Sequence, residues 1–355
     1  MAFNAALYFE RGLYRERVFE DPLDLLHISD ENLLRDYRFP RREIIDLINE
    51  LDPYLQRATN RSQPIPTCTQ VLVALRYFAS GTFQSEIGEE QGIQQSSVSK
   101  VLDDIIDILV RKAKCEINMP TENTEITRNM QEFAAFANFP RVIGVIGCSH
   151  IAIKKPLVDS YVYVNRQQFH SINVMIVCDA DWRIISYSAK YPGDSDDSFI
   201  WDNSHIRRRF LNEEFGDGLL IGDSGFPLEP FMMVPFQNPA TNEEEKFNLS
   251  HKKTQVWVEQ CFGILKNRFR CLHMSGGELP YIPIKCARII ICCLFLHNLC
   301  IRRNIPIPEP DDLLQEVEVE VEMEEEEEEE VDEPIGSSAE HGNNVRNEIV
   351  QNVFA

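Results

Sequence analysis

Apolar residues recur at every third or fourth position from Ser29 to about Lys112, a spacing that predicts helices throughout that stretch. Ser29 is placed to cap a first short helix, and Pro40 opens a second through Ile44, Leu47 and Leu51, with Pro53 following it. Thr67 and Gln70 read as a capping box for a third helix, ended by Gly81. Next come a short helix over 82–90, a turn at Gly92-Ile93, and a longer helix capped by Ser96 or Ser97 that runs through Val98, Val101, Ile105 and Leu109. A connector, 113–140, carries one amphipathic helix over 127–138.

The period then changes. Val142 to Ile146 and Ile151 to Ile153 read as two strands separated by Gly147-Cys148-Ser149-His150, and 172–178 with 183–188 as a hairpin. An acid-rich turn at 192–198 leads into a helix over 199–210. Leu219-Leu220-Ile221 is a short buried strand with Asp223 at its mouth, where ligands sit in α/β sheets. Val258, Phe262, Leu265, Phe269 and Leu272 mark one face of a helix over 254–272, and 284–302 is a last buried helix. The fold class is α/β: a mixed sheet flanked by helices, behind an all-α domain. The expected divisions are an N-terminal segment (1–28), a helical domain (29–112), the connector (113–140), the sheet domain (141–305) and a disordered acidic tail (306–355).

The net charge of −22 is mostly local. Residues 309–333 hold 16 acids and no Lys or Arg, which leaves 41 acids against 35 bases elsewhere. Nucleic-acid binding therefore has to come from patches rather than bulk charge. The tail reads as a solvated spacer or a mimic of nucleic-acid charge, with the spacer favoured. Ten cysteines without a C-x-x-C pair indicate reduced thiols rather than disulfides or zinc. Neither a signal peptide nor a segment of membrane-spanning length is expected, and no basic nuclear-targeting cluster stands out.

Around the 254–272 helix, Lys252, Gln255, Gly263, Lys266 and Arg270 share the face of Glu259. A carboxylate within a stripe of cations suits a metal ligand beside a phosphate backbone; the plainer reading is a solvated face of paired charges. Asp223 by itself is likewise more often a turn residue or a helix cap than a ligand, and it is the combination with Glu259 that favours the metal reading. In the helical domain Gln94, Gln95, Ser96, Ser99 and Lys100 could face a groove or phosphates, as in a helix-turn-helix. Asp103, Asp104 and Asp107 oppose DNA, so a protein-binding bundle stands beside that reading.

These residues resemble the Harbinger transposase-derived nucleases of the PIF/Harbinger superfamily, from about Leu33 to Arg302. The resemblance rests on Tyr163-Val-Asn-Arg166, His170-Ser-Ile-Asn173, Val177-Cys-Asp179, Pro192-Gly193 with Asp197, Gly222-Asp-Ser-Gly-Phe-Pro227, Glu259 to Leu272, and Leu296-His-Asn298. It implies a ribonuclease H-like DDE-type endonuclease domain behind a helix-turn-helix domain. It also implies divalent-metal-dependent hydrolysis of DNA phosphodiester bonds, with Mg²⁺ or Mn²⁺ as cofactor and no nucleotide cofactor. Asp223 and Glu259 match the second and third members of the catalytic triad, and Asp197 matches a further metal-linked acid. Lys252, Lys266, Arg270, Ser97 and Lys100 are the candidate DNA contacts.

The family's first acid is replaced by Gly147, and losing a charged ligand from so small a set is expected to impair catalysis. Gln167, Asp194 and Asp196 also depart from the pattern in the direction of a poorer phosphate site. Asp179 and Asp181 are expected to belong to a hairpin turn rather than to stand in for the missing acid. The alternative function is a catalytically silent DNA- or protein-binding adaptor; an active transposase is a weaker third. Family resemblance further implies a Myb-like DNA-binding partner; segment lengths lead to the expectation of no membrane association, and residence in nucleus and cytoplasm is expected.

Overall fold

A computed structural model describes residues 28–56, 64–308 and 337–355 of the chain. The N-terminal segment and the acidic run with its alternating Val317, Val319 and Val321 lie outside the described residues. The chain forms two compact units: one holds residues up to Tyr77 together with Thr82–Ile105, the other Phe78–Gly81 and Ile106 onward.

Five helices build the first part: α1 (Asp30–Tyr37), α2 (Arg41–Leu55), α3 (Thr67–Ser80), α4 (Gln84–Glu90) and α5 (Gln95–Glu116). Ser29 caps α1 as expected, accepting from Asn32 N–H at 3.2 Å. Other boundaries differ for local reasons. Pro53 lies inside α2 rather than after it. Thr67 is the first helical residue and donates its hydroxyl to Asp52 at 2.6 Å, while the Gln70 side chain reaches Ile65 O at 2.8 Å, so no capping box forms there. Helix α5 begins at Gln95, with Gln94 O accepting from Ser97 and Val98, which places Ser96 and Ser97 in its first turn instead of at its cap. Gly92 turns the chain with φ at +63°, and Gly88 is needed because an added Cβ would meet Ile93 O at 2.7 Å.

The second unit centres on a five-stranded mixed sheet. After α6 (Asn123–Ala137) come β1 (Val142–Ala152), β2 (Ser171–Cys178), β3 (Ile184–Pro192), α7 (Asp197–Asp202), α8 (His205–Leu211), β4 (Leu219–Ile221) and β5 (Met232–Met233). Helices α9 (Asn242–Arg268), α10 (Pro283–Arg302) and α11 (Ser337–Ile349) follow. Strand order is β3-β2-β1-β4-β5, with β1, β2 and β3 antiparallel and β4 and β5 parallel to β1. The two short strands expected around Gly147 are one continuous strand, because Gly147 and Cys148 keep the ladder with Ile176 and Met175. The helix expected over 199–210 is two, divided where Ser204 caps α8 by accepting from Arg207 N–H.

Helix α10 corrects the expectation that no segment reaches membrane-spanning length, since it has 20 residues and a mean hydropathy of 1.9 over its most apolar window. That apolarity serves the core: Cys286, Ile289, Ile290 and the run Cys292 to Leu296 are buried, and Arg288 and Arg302 pair with Asp107 and Glu116. The motif at its end is structural. His297 Nε2 lies 2.8 Å from Trp182 O, and Asn298 accepts from Ile184 N–H and donates to Ile184 O, pinning the β2–β3 hairpin. The tail expected to be disordered throughout is folded over its last part: α11 and a π-helical turn, Val350–Phe354, pack on α9 and β5 through buried Ala339, Ile349, Val350 and Phe354.

Candidate active site

Parallel pairing of Val145 with Ile221 sets the C-terminal end of β4 beside the first half of β1, so Gly147 and Asp223 each lie two residues past a matched pair. Asp223 follows the strand in a tight loop, its Oδ1 accepting from Gly225 N–H at 2.9 Å. Asp197 opens α7, and its Oδ1 accepts from Asn173 Nδ2 at 2.8 Å, a donor that also holds Ser195 O. A methyl added at Gly225 would lie 3.0 Å from Asp223 Oδ1 and 3.6 Å from Asp197 Oδ2, so the two carboxylates flank one cramped gap. Burial, then the Asp197 charge and last that of Glu259, push the Asp223 carboxyl up to about 7.

Cys148 is the β1 side chain that meets this pair. Burial raises its thiol, as do the charges of Asp197 and Asp223, and it is hydrogen-bonded to Asp197. His150 sits beyond it, 3.0 Å from Ser171 Oγ; burial lowers its pKa, with Lys266 and Arg166 acting in the same direction and Asp197 against them.

The opposite face of β1 looks at α9. A Cβ on Gly147 would meet Val258 Cγ1 at 2.9 Å, and Lys266 Nζ donates to Ser149 Oγ at 2.8 Å. Gln255, expected on the exposed face of Glu259, is buried instead and reaches toward Ile146 O at 3.4 Å. Buried His251, one turn earlier, hydrogen-bonds the backbone at Met233 and Gly222, fixing the root of the Asp223 loop; burial lowers its pKa to about 4. Glu259, Lys252 and Gly263 are exposed, and nothing lies within 4 Å of an added Cβ at Gly263.

The structure thus brings Asp197 and Asp223 together, sets Glu259 within electrostatic range of Asp223, and carries Lys266 to β1. Arg270 is half-buried just past α9, its Nη2 3.5 Å from Asn267 Oδ1. Ser97 and Lys100 belong to the other compact unit. Among the described residues no three His, Cys, Asp or Glu side chains form a metal-binding cluster. Asp179 and Asp181 do not fill the gap. Asp179 is fully buried, closing the hairpin turn through Asp181 N–H, Arg183 N–H and the Arg183 guanidinium, and Asp181 pairs with Arg128.

Residues without an assigned role also shape the site. Asn173 lay within a recognised motif, but its partner is set by strand register. Glu229 had no signal at all: it is buried and accepts Trp201 Nε1 at 2.8 Å and Arg207 Nη2 at 2.7 Å, tying α7 and α8 to the loop after Asp223.

Residues 146–298 match the model of a DDE superfamily endonuclease. A Homo sapiens protein named "Putative nuclease HARBI1" is 36% identical over 81% of this chain and 82% of its own length, and its Bos taurus counterpart is 35% identical over the same shares. "Protein ALP1-like" of Arabidopsis thaliana is 27% identical over 68% of this chain and 62% of its own, and a second protein of that plant, "Antagonist of like heterochromatin protein 1", is 27% identical over 65%. No solved structure matches the chain. Matched over most of its length by these nucleases and carrying their endonuclease domain across its sheet, the chain belongs to the Harbinger transposase-derived nucleases of the PIF/Harbinger superfamily.

Proposed function

We propose that the sheet unit is a ribonuclease H-like nuclease core that hydrolyses DNA phosphodiester bonds with a divalent cation, Mg²⁺ or Mn²⁺, at an activity impaired by Gly147. The observation that carries this reading is the pair of carboxylates, Asp197 and Asp223, forced onto one gap where Asp223 resists ionisation. Two half-buried acids crowded onto one gap suit an oxygen-ligated cation. Asp223 and Asp197 would hold it, with Glu259 approaching from α9. Such a cation polarises the phosphoryl oxygen and activates water. Asn173 orients Asp197, His251 anchors the Asp223 loop, and Lys266 offers charge to the substrate backbone, with Arg270 and Lys252 further along. Ser97 and Lys100 supply contacts from the helical unit. Because Asp103, Asp104 and Asp107 weaken that helix as a DNA reader, sequence recognition and nuclear entry fall to a Myb-like partner.

Nicking of supercoiled DNA in Mg²⁺ or Mn²⁺ tests the proposal. The native chain is expected to cleave weakly, Asp223→Asn not at all, and Gly147→Asp more strongly. Since a side chain at 147 meets Val258, Gly147→Asp combined with Val258→Ala makes room for it. Cleavage unchanged in Asp223→Asn would refute the site. Robust cleavage by the native chain would refute the impairment.

The second reading, a silent adaptor, is favoured by Gly147 and by a plant relative whose name describes an antagonist of a heterochromatin protein. Absence of cleavage in every variant, with partner binding retained, would select it.

A further inference from the structure

Between β1 and β2 the chain makes an excursion that the catalytic reading leaves unused. Its root is firm. Lys154 N–H donates to Leu279 O at 3.0 Å, Pro156 is buried, and Ser160–Tyr163 turns back as a 3₁₀ helix. Among the described residues its tip is uncovered: Leu157 is 102% exposed and Val158 73%, with Tyr161 also at 73% and Lys154 and Lys155 exposed on the approach. Scattered apolar residues on a surface mean little, but two adjacent ones held at a tip behind two lysines form a surface built for contact.

The excursion stands directly on the acid turn. Val162 O accepts from Asp194 N–H at 3.0 Å, and a Cβ on Gly193 would meet Tyr163 O at 2.7 Å, so glycine is required for this approach. Asp196, an exposed acid of the turn, is paired with exposed Arg166 at 3.4 Å, and Asp159 is the only acid on the excursion itself. A phosphate reaching Asp197 and Asp223 therefore brings its flanking nucleotides alongside Lys154 to Tyr161. Lysines ahead of an apolar tip match a duplex: cations for the backbone and a wedge for a base step.

We propose that this excursion grips the duplex beside the scissile phosphate, with Lys154 and Lys155 on the backbone and Leu157 and Val158 inserted against an unstacked base step. The proposal rests on the nuclease reading above and adds the substrate's deformation to it.

The test uses the full chain, duplexes carrying 2-aminopurine at successive positions, and Ca²⁺ in place of Mg²⁺. Native protein at saturation is expected to raise the fluorescence at one or two positions. Leu157→Ser with Val158→Ser abolishes the rise while affinity changes less than about threefold, since most affinity is electrostatic. Lys154→Ala with Lys155→Ala weakens binding about tenfold and lowers the salt slope by about 2. Saturated binding with no rise at any position, or a rise untouched by the serine variant, overturns the wedge but leaves the nuclease intact. Failure of the native chain to bind DNA overturns both. A serine variant that binds and unstacks DNA normally but loses association with a protein marks the excursion as a protein contact and also overturns the proposal.

Discussion

Asp223 binds its proton more tightly in the folded chain than in the unfolded one, because burial and the Asp197 charge lift its carboxyl from the ordinary 3.8 to about 7. The folded state is therefore unpenalised at low pH and loses stability as pH rises from about 4 to about 7, where the charge has to be carried beside Asp197. Asp223→Asn removes that loss: its Tm should exceed the native value at about pH 8 and match it at about pH 4. Added Mg²⁺ should raise the native Tm at about pH 8 and leave the variant's unchanged. A native Tm indifferent to both pH and Mg²⁺ would contradict the paired-acid site without any appeal to activity. Asp197, Asp223 and Glu259 can be singled out as candidates in the sequence because each stands in a distinctive local motif. Cys148 cannot, because the face a strand residue presents depends on register, and the local pattern around Gly147 predicts a break in β1. Its unbroken ladder turns Cys148 toward the acids and the empty position toward Val258.

At the scale of elements, α9 shows what periodicity can and cannot tell. Its apolar face, Val258, Phe262 and Leu265, is buried as the spacing predicts, yet the helix begins twelve residues earlier, at Asn242, where Thr241 and Glu244 form a capping box. The apolar pattern is weak over that first part, while the cap itself is a purely local signal. Gly263 lies exposed in this helix with open space around it, so Gly263→Ala should stabilise the protein by about 0.5–1 kcal/mol. If the space accommodates a phosphate backbone, the same change weakens DNA binding; a higher Tm with unaltered DNA affinity would reduce Gly263 to a neutral surface position.

Glu229 acts between elements. Glu229→Ala leaves Arg207 only its looser pairing with half-exposed Asp202 and the buried Trp201 N–H without its acceptor, an expected loss of roughly 3 kcal/mol, whereas Glu229→Gln keeps an acceptor for Trp201 and loses less. Denaturant unfolding of the two variants separates these effects, and equal stability in both would show the clip to be idle. Nothing local marks Glu229 in the sequence, since its partners lie more than twenty residues away.

For the whole molecule, the mixed sheet and its preceding helices were legible from the change of hydrophobic period, and the folded C-terminus was not. Composition dominated that reading: the acid-rich stretch up to 333 obscures the short apolar pattern of Ala339, Ile349, Val350 and Phe354. Phe354 packs its ring 5.9 Å from Phe247 and 6.2 Å from Phe139, while Lys246 Nζ donates to Phe354 O at 3.0 Å. Arg346 lies 3.8 Å over the Phe236 ring and reaches the carbonyls of Val234 and Pro235. Gly342 fits closely against Leu228 and the Glu229 backbone, which follow the loop of Asp223. The segment thus braces the stretch that follows the loop anchored by His251. Deleting 337–355 uncovers Phe139, Phe247 and Leu228, at an expected loss on the order of 3 kcal/mol, and should lower Tm by roughly 6–12 °C. Arg346→Ala with Phe354→Ala should reproduce most of that fall, and a synthetic peptide of residues 337–355 added to the truncated chain should restore it in proportion to its concentration. An unchanged Tm on deletion would mean that the segment merely rests on the sheet unit and that the Asp223 loop is held without it.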